Sequence, residues 1–157
     1  MNRLKQLLLA SALLLGTAAV TAAEPVNTLE KGFFGFGESG IAIRGYDTVA
    51  YFTRQQAMPG KPEYHHDWQG ARWLFVSAEH RDLFAASPEA YAPRFGGYCA
   101  YGVAHGDLLK VEGDQWAVVE GRLYLNYDEK WMQRWQNDRE TLIMMAEARY
   151  AELVGAD

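Results

Sequence analysis

The chain opens on an apolar run, Leu7 to Leu15, broken only by small residues, and continues small and weakly polar from Gly16 to Ala23. Residues 24–40 then interleave Gly32, Gly35, Gly37 and Gly40 with Phe33, Phe34 and Phe36. Glycine at that density predicts a loop, and the phenylalanines predict that it is tucked onto the domain. From Ile41 the pattern sharpens. Asp47–Phe52 is a short element rich in β-branched and aromatic residues, and Met58–Pro62 is a loop by its proline and glycine content. In Glu63–Trp68 and Arg72–Val76 apolar and polar residues alternate around Gln69-Gly70-Ala71, the pattern of a β-hairpin. Ser77 suits a helix N-cap, and Ala78–Ala86 places Leu83 and Phe84 on one helical face before Pro88; Pro88–Tyr91 adds a further turn. A second hairpin joins Trp116–Val119 to Arg122–Asn126 through Glu120-Gly121, where glycine supplies positive φ. Asp128 caps a helix with Trp131 and Trp135 four apart. A last helix covers Thr141–Leu153, with Leu142, Met145, Ala146 and Leu153 at helical spacing. The class expected is α+β: small antiparallel hairpins packed with helices in a single domain. The sequence shows no internal repeat and no low-complexity tract.

The first 23 residues change the picture of where this domain works. Arg3 and Lys5 precede the apolar run, and small residues end it, so residues 1–23 read as a signal peptide cut after Ala22 or Ala23. The run is shorter than the roughly 20 residues a membrane-crossing helix needs. No cysteine lies at the cut and no twin arginine precedes the run, so neither a lipid anchor nor folded export is expected. The expected location is periplasmic or secreted, with no stable membrane insertion after cleavage. Removing Arg3 and Lys5 takes 15 basic residues to 13 against 20 acidic ones, a net charge of −7. That balance, with no basic run and no phosphate-cradling glycine loop, excludes nucleic acid as a partner class and disfavours anionic lipid.

Cys99 is the single cysteine and can form no disulfide within the chain. It is a buried small hydrophobe, a metal ligand, a reactive thiol or an intermolecular partner. It lies in the most unusual stretch of the chain, Phe95-Gly96-Gly97-Tyr98-Cys99-Ala100-Tyr101-Gly102, whose paired glycines allow close approach of a ligand or another strand.

Several blocks resemble the YHS domain: Arg44–Phe52, then Trp73–Phe84, then Ser87-Pro88-Glu89-Ala90-Tyr91. Gly96–Tyr101 and Leu123–Tyr127 are similar to motifs of the secreted bacterial branch of that family. The likeness spans about residues 41–154, which divides the chain into signal peptide (1–23), lead-in (24–40) and YHS-like domain (41–154). It implies a small binding module for a transition metal ion or small ligand. Three cysteines characteristic of the family would fall on Ala50, Val76 and His80, so a metal here needs another ligand set.

The candidate metal ligands are Cys99, His105 and His80; thiolate with imidazole suits copper or zinc. His65 and His66 point to opposite faces of a strand, so one at most joins a given site. Tyr46, Asp47, Tyr98 and Tyr101 are candidates for a polar ligand cleft, with Asp47 alternatively capping a turn through its own backbone. Cys99 beside a histidine is also the pattern of a thiol nucleophile, so a thiol-dependent enzyme is the alternative function, and a structural or interaction protein the third. No complete catalytic constellation is visible. The five tryptophans are core by their spacing, and Glu120 with Asp128 reads as a turn residue and a cap, not a carboxylate pair.

Overall fold

The computed structural model describes residues 23–28 and 40–155. The signal-peptide reading and residues 29–39 of the lead-in lie outside the described residues. The architecture is α+β, as expected: two separate two-stranded antiparallel sheets with helices packed on them.

The first hairpin pairs β1 (Lys61–Trp68) with β2 (Ala71–Phe75) across Gln69 and Gly70, both at positive φ as a tight two-residue turn requires. The strands are unequal. β2 buries Ala71, Trp73, Leu74 and Phe75, whereas β1 is exposed or half-buried. Ser77 then caps α2 (Ala78–Ala86) by accepting from the His80 amide, and the short α3 (Pro88–Tyr91) follows. Phe84 faces the core, with its ring 4.9 Å from Trp73 and 5.1 Å from Phe75. Leu83 does not share that face and is exposed, since adjacent helical positions diverge by about 100°. The β-branched and aromatic stretch at 47–52 forms a short helix, α1 (Ala50–Thr53), started by Asp47. Residues 100–105, within the glycine- and tyrosine-rich stretch, also form a helix, α4 (Ala100–His105), ended by Gly106 at φ +94°. The second hairpin joins β3 (Glu112–Val119) to β4 (Arg122–Asn126). α5 (Glu129–Asn137) and α6 (Arg139–Leu153) complete the chain.

A repeat invisible in the sequence is plain in three dimensions. Ile43, Arg44 and Gly45 turn at positive φ, as do Phe95, Gly96 and Gly97. A short helix follows each, then a hairpin, then a capped nine-residue helix. The hairpins match to the register: Lys61 pairs with Phe75 and His65 with Leu74, while Glu112 pairs with Asn126 and Trp116 with Leu125, each residue 51 positions on. Both hairpins are irregular at that same step. Asp47 matches Cys99, 52 positions on like the turn that precedes it, while Trp73 matches Tyr124, Ser77 matches Asp128 and Phe84 matches Trp135, 51 on. Aromatic and cap character is kept at three of these pairs, and Gly70/Gly121 and Leu74/Leu125 are identical, but the matches are too scattered among differing residues for a repeat to show in the sequence. The two units are not independent. One buried cluster joins Tyr51, Trp73, Phe75 and Phe84 of the first to Cys99, Leu123 and Leu125 of the second, and the Tyr51 hydroxyl donates to the Gly113 carbonyl at 2.7 Å.

Residues 24–27 form a strap over the second turn. The Asn27 amide donates to Gly96 O and its side chain to Gly97 O; Ile43 N donates to Asn27 O. Tyr98 donates to Glu24 O and Tyr150 to Pro25 O. What closely approaches the paired glycines is therefore this chain's own residues 24–27. Burial raises the Tyr150 hydroxyl from 10.0 to about 12. A folded-state pKa raised above the unfolded one means its contribution is whole below about pH 10 and disappears as pH climbs to 12. Thermal melts between those limits should show stability falling with pH, and Tyr150→Phe should flatten part of that fall.

Candidate functional site

Asp47 is fully buried and accepts four hydrogen bonds. Oδ1 takes the Val49 and Ala50 amides at 2.9 and 3.2 Å, and Oδ2 takes the Val76 amide at 2.9 Å and His80 Nδ1 at 2.6 Å. The carboxylate acceptor places a proton on Nδ1, and Nε2 lies 3.3 Å from Thr53 Oγ1, which also reaches the Val49 carbonyl at 3.1 Å. His80 is thus 3% exposed and bound to aspartate, neither a surface imidazole nor beside Cys99. Ala50, Val76 and His80, where the YHS likeness would put cysteines, do converge. What they converge on is the Asp47 carboxylate. The group ties α1, the end of β2 and α2 together, and it leaves Asp47 no acceptor capacity facing solvent.

Cys99 occupies the matching position of the second unit. Its Sγ accepts from Gly102 N at 3.4 Å, as Asp47 does from Ala50, and the thiol donates to Asn126 Oδ1 at 3.6 Å. It is 0% exposed, and burial pushes its pKa up, so it stays a thiol. A thiol held neutral and out of reach is a poor nucleophile. The native protein is expected to resist a chromogenic disulfide reagent that reacts fully once guanidinium unfolds the chain; fast native reaction would refute the buried cap.

His105, at the far end of α4, stands apart from both. It is exposed, its Nδ1 2.8 Å from Tyr101 O and its ring stacked on Tyr101 at 4.3 Å. Cys99, His105 and His80 therefore do not assemble. Among the described residues no three of His, Cys, Asp and Glu are grouped to hold a metal ion. The expected tyrosine cleft does not form either. Tyr46 lies across Gly113, Tyr98 is spent on the strap, Tyr101 packs edge-on against Trp131, and Asp47 is internal. Tyr46, Asp47 and His80 belong to the first unit and Tyr98, Cys99, Tyr101 and His105 to the second.

An open concavity lies elsewhere. A cleft of about 360 Å³ runs between the tips of the two hairpins. Trp68 and Trp73 line it from the first unit, Glu89 from α3, Arg94 and Arg122 from the second unit, and Tyr150 from α6. The two indoles meet at 5.7 Å and 58°, with Trp73 Nε1 donating to Trp68 O. Arg94 reaches Glu147 through one terminal nitrogen at 2.8 Å, while its Nε is buried without a hydrogen-bond partner. Arg122, first in β4, is exposed and forms no ion pair among the described residues. None of the seven residues singled out in the sequence lines this cleft. Trp68 and Trp73 read as core by alternation, and Trp73 is core; that the Trp68 end of the same stack borders an opening depends on the second hairpin tip, 51 residues away.

The fold defines a small α+β domain built from two hairpin-and-helix units. No family model, curated protein or solved structure matches the chain.

Proposed function

We propose that this protein is a small-ligand-binding module, exported to the periplasm or beyond, with its site in the cleft between the hairpin tips. The observation that supports this is the lining: indole surface on one wall, guanidinium groups on the other, around a volume at the lower end of the roughly 300–1,000 Å³ usual for ligand pockets. The YHS likeness favours a binding module, and the N-terminal pattern favours export. The small-ligand half of that expectation is preferred to the metal half because the thiol and the two imidazoles lie apart. It is preferred to a thiol-dependent enzyme because Cys99 is sealed and neutral. No described helix is long and apolar enough to cross a membrane.

The test is a nuclear magnetic resonance screen of small polar metabolites and aromatic fragments against protein recovered from the periplasm, whose mass should begin at Glu24. Movement of the Trp68 indole and Gly121 amide resonances by at least one compound is expected. A screen in which no compound moves them, or moves only resonances remote from the cleft, would remove this reading.

A further inference from the structure

Resting on that reading, we infer that the cleft takes a compact organic monoanion, an aromatic carboxylate, seated against Trp68 and paired by Arg122. The cleft's cations are its unusual feature, because the mature chain is acidic, with 13 basic residues against 20 acidic ones. Arg122 has no carboxylate partner among the described residues, although acidic side chains outnumber basic ones. Arg94 keeps a buried Nε without an acceptor even though Glu147 binds its terminal nitrogen. Glu147 therefore holds Arg94, whose Nε is closed to solvent, which leaves Arg122 as the more open cation of the cleft. A guanidinium presents its N–H groups as a planar fork that matches a carboxylate.

The opposite wall selects the rest of the ligand. Trp68 is half-buried against Trp73 and Phe84 and so is held in place, a fixed flat surface for a ring. Glu89, on the same lining, forms no ion pair among the described residues. Its charge repels a second anionic group and offers an acceptor to a ligand hydroxyl. A dianionic phosphate is therefore disfavoured and a hydroxylated monoacid favoured.

The experiment expresses the full chain and titrates the purified exported protein with 4-hydroxybenzoate, 4-hydroxybenzamide and inorganic phosphate, by calorimetry and by the Trp68 indole resonance. The benzoate should bind at least about tenfold tighter than the amide, the size of one charge-assisted hydrogen bond. Arg122→Gln should bring the benzoate down to the amide's affinity without shifting the melting temperature, since Arg122 is exposed. Phosphate should leave the indole unmoved. Equal affinity for acid and amide, a preference that survives Arg122→Gln, or phosphate binding as well as the benzoate would each overturn the anion assignment while leaving the cleft as a site. Silence from both aromatic probes would also overturn it; the cleft itself falls only if the wider metabolite screen is silent too.

Discussion

Asp47→Ala is expected to destabilise the protein by about 3–5 kcal/mol, the scale for removing one member of a buried charged or hydrogen-bonded pair. The amides of Val49 and Val76 lose their side-chain acceptor together, the Ala50 amide keeps only the Asp47 backbone carbonyl at 3.3 Å, and His80 Nδ1 loses its partner in a buried site. The shortfall cannot be made up locally, because a methyl group accepts nothing and the space is closed. Asp47→Asn should lose less. Its amide oxygen can still serve Val49 and Ala50, but the amide nitrogen then faces the Val76 donor. His80→Ala should fall between the two, since the carboxylate keeps its three amides. Urea unfolding gives all three values from midpoints and slopes. A loss of under about 1 kcal/mol for Asp47→Ala would mean that the carboxylate does not organise these elements.

The second large effect is expected at Gly96. Its φ is +59°, and a Cβ there would lie 2.0 Å from the Pro25 carbonyl oxygen and 2.5 Å from the Tyr150 hydroxyl. The first obstacle is backbone, which cannot swing aside as a side-chain tip can. Gly96→Ala must therefore displace the strap, and with it the bonds from Asn27 N to Gly96 O and from Tyr150 to Pro25 O. Left-handed backbone costs a non-glycine residue roughly 1–2 kcal/mol by itself. With the strap's loss the total should reach about 2–4 kcal/mol, within the range of severe single substitutions. Gly70→Ala supplies the control: φ is +76°, but nothing lies within 4 Å of its Cβ, so only the backbone part should appear. Hydrogen exchange separates the two, because Gly96→Ala should expose the Asn27 and Ile43 amides and Gly70→Ala should not. Equal costs at the two glycines would show that the strap contributes nothing.

Both effects arise where the sequence was only partly legible. Asp47 read either as a ligand-cleft residue or as a cap for its own backbone, and it is the cap. What could not be read is that the same carboxylate reaches Val76 and His80, 29 and 33 residues on. The paired glycines signalled a close approach, yet nothing in their neighbourhood identified residues 25–27 as what approaches. Cys99 had four open roles. Its burial follows from its position opposite Asn126, which no local pattern encodes. Cys99 and His105 lie six residues apart. Across α4 that spacing puts one side chain into the core and the other on the surface.

The sequence by itself determined the α+β class, the presence and place of both hairpins, the Ser77 and Asp128 caps and the extent of the helix after Ser77. Each of these depends on interactions within a few residues: alternation along a strand, positive φ at a glycine, a side-chain oxygen reaching the third amide on. Only the tertiary structure decided the rest. The duplication emerges because backbone turns and register persist after side chains diverge. The metal and tyrosine candidates disperse because their side chains take different partners: His80 the buried Asp47, Cys99 Asn126, Tyr46 the Gly113 backbone and Tyr98 the strap, with His105 left on the surface. The cleft exists because two hairpin tips, each written in its own stretch of sequence, are brought face to face by a core that they share.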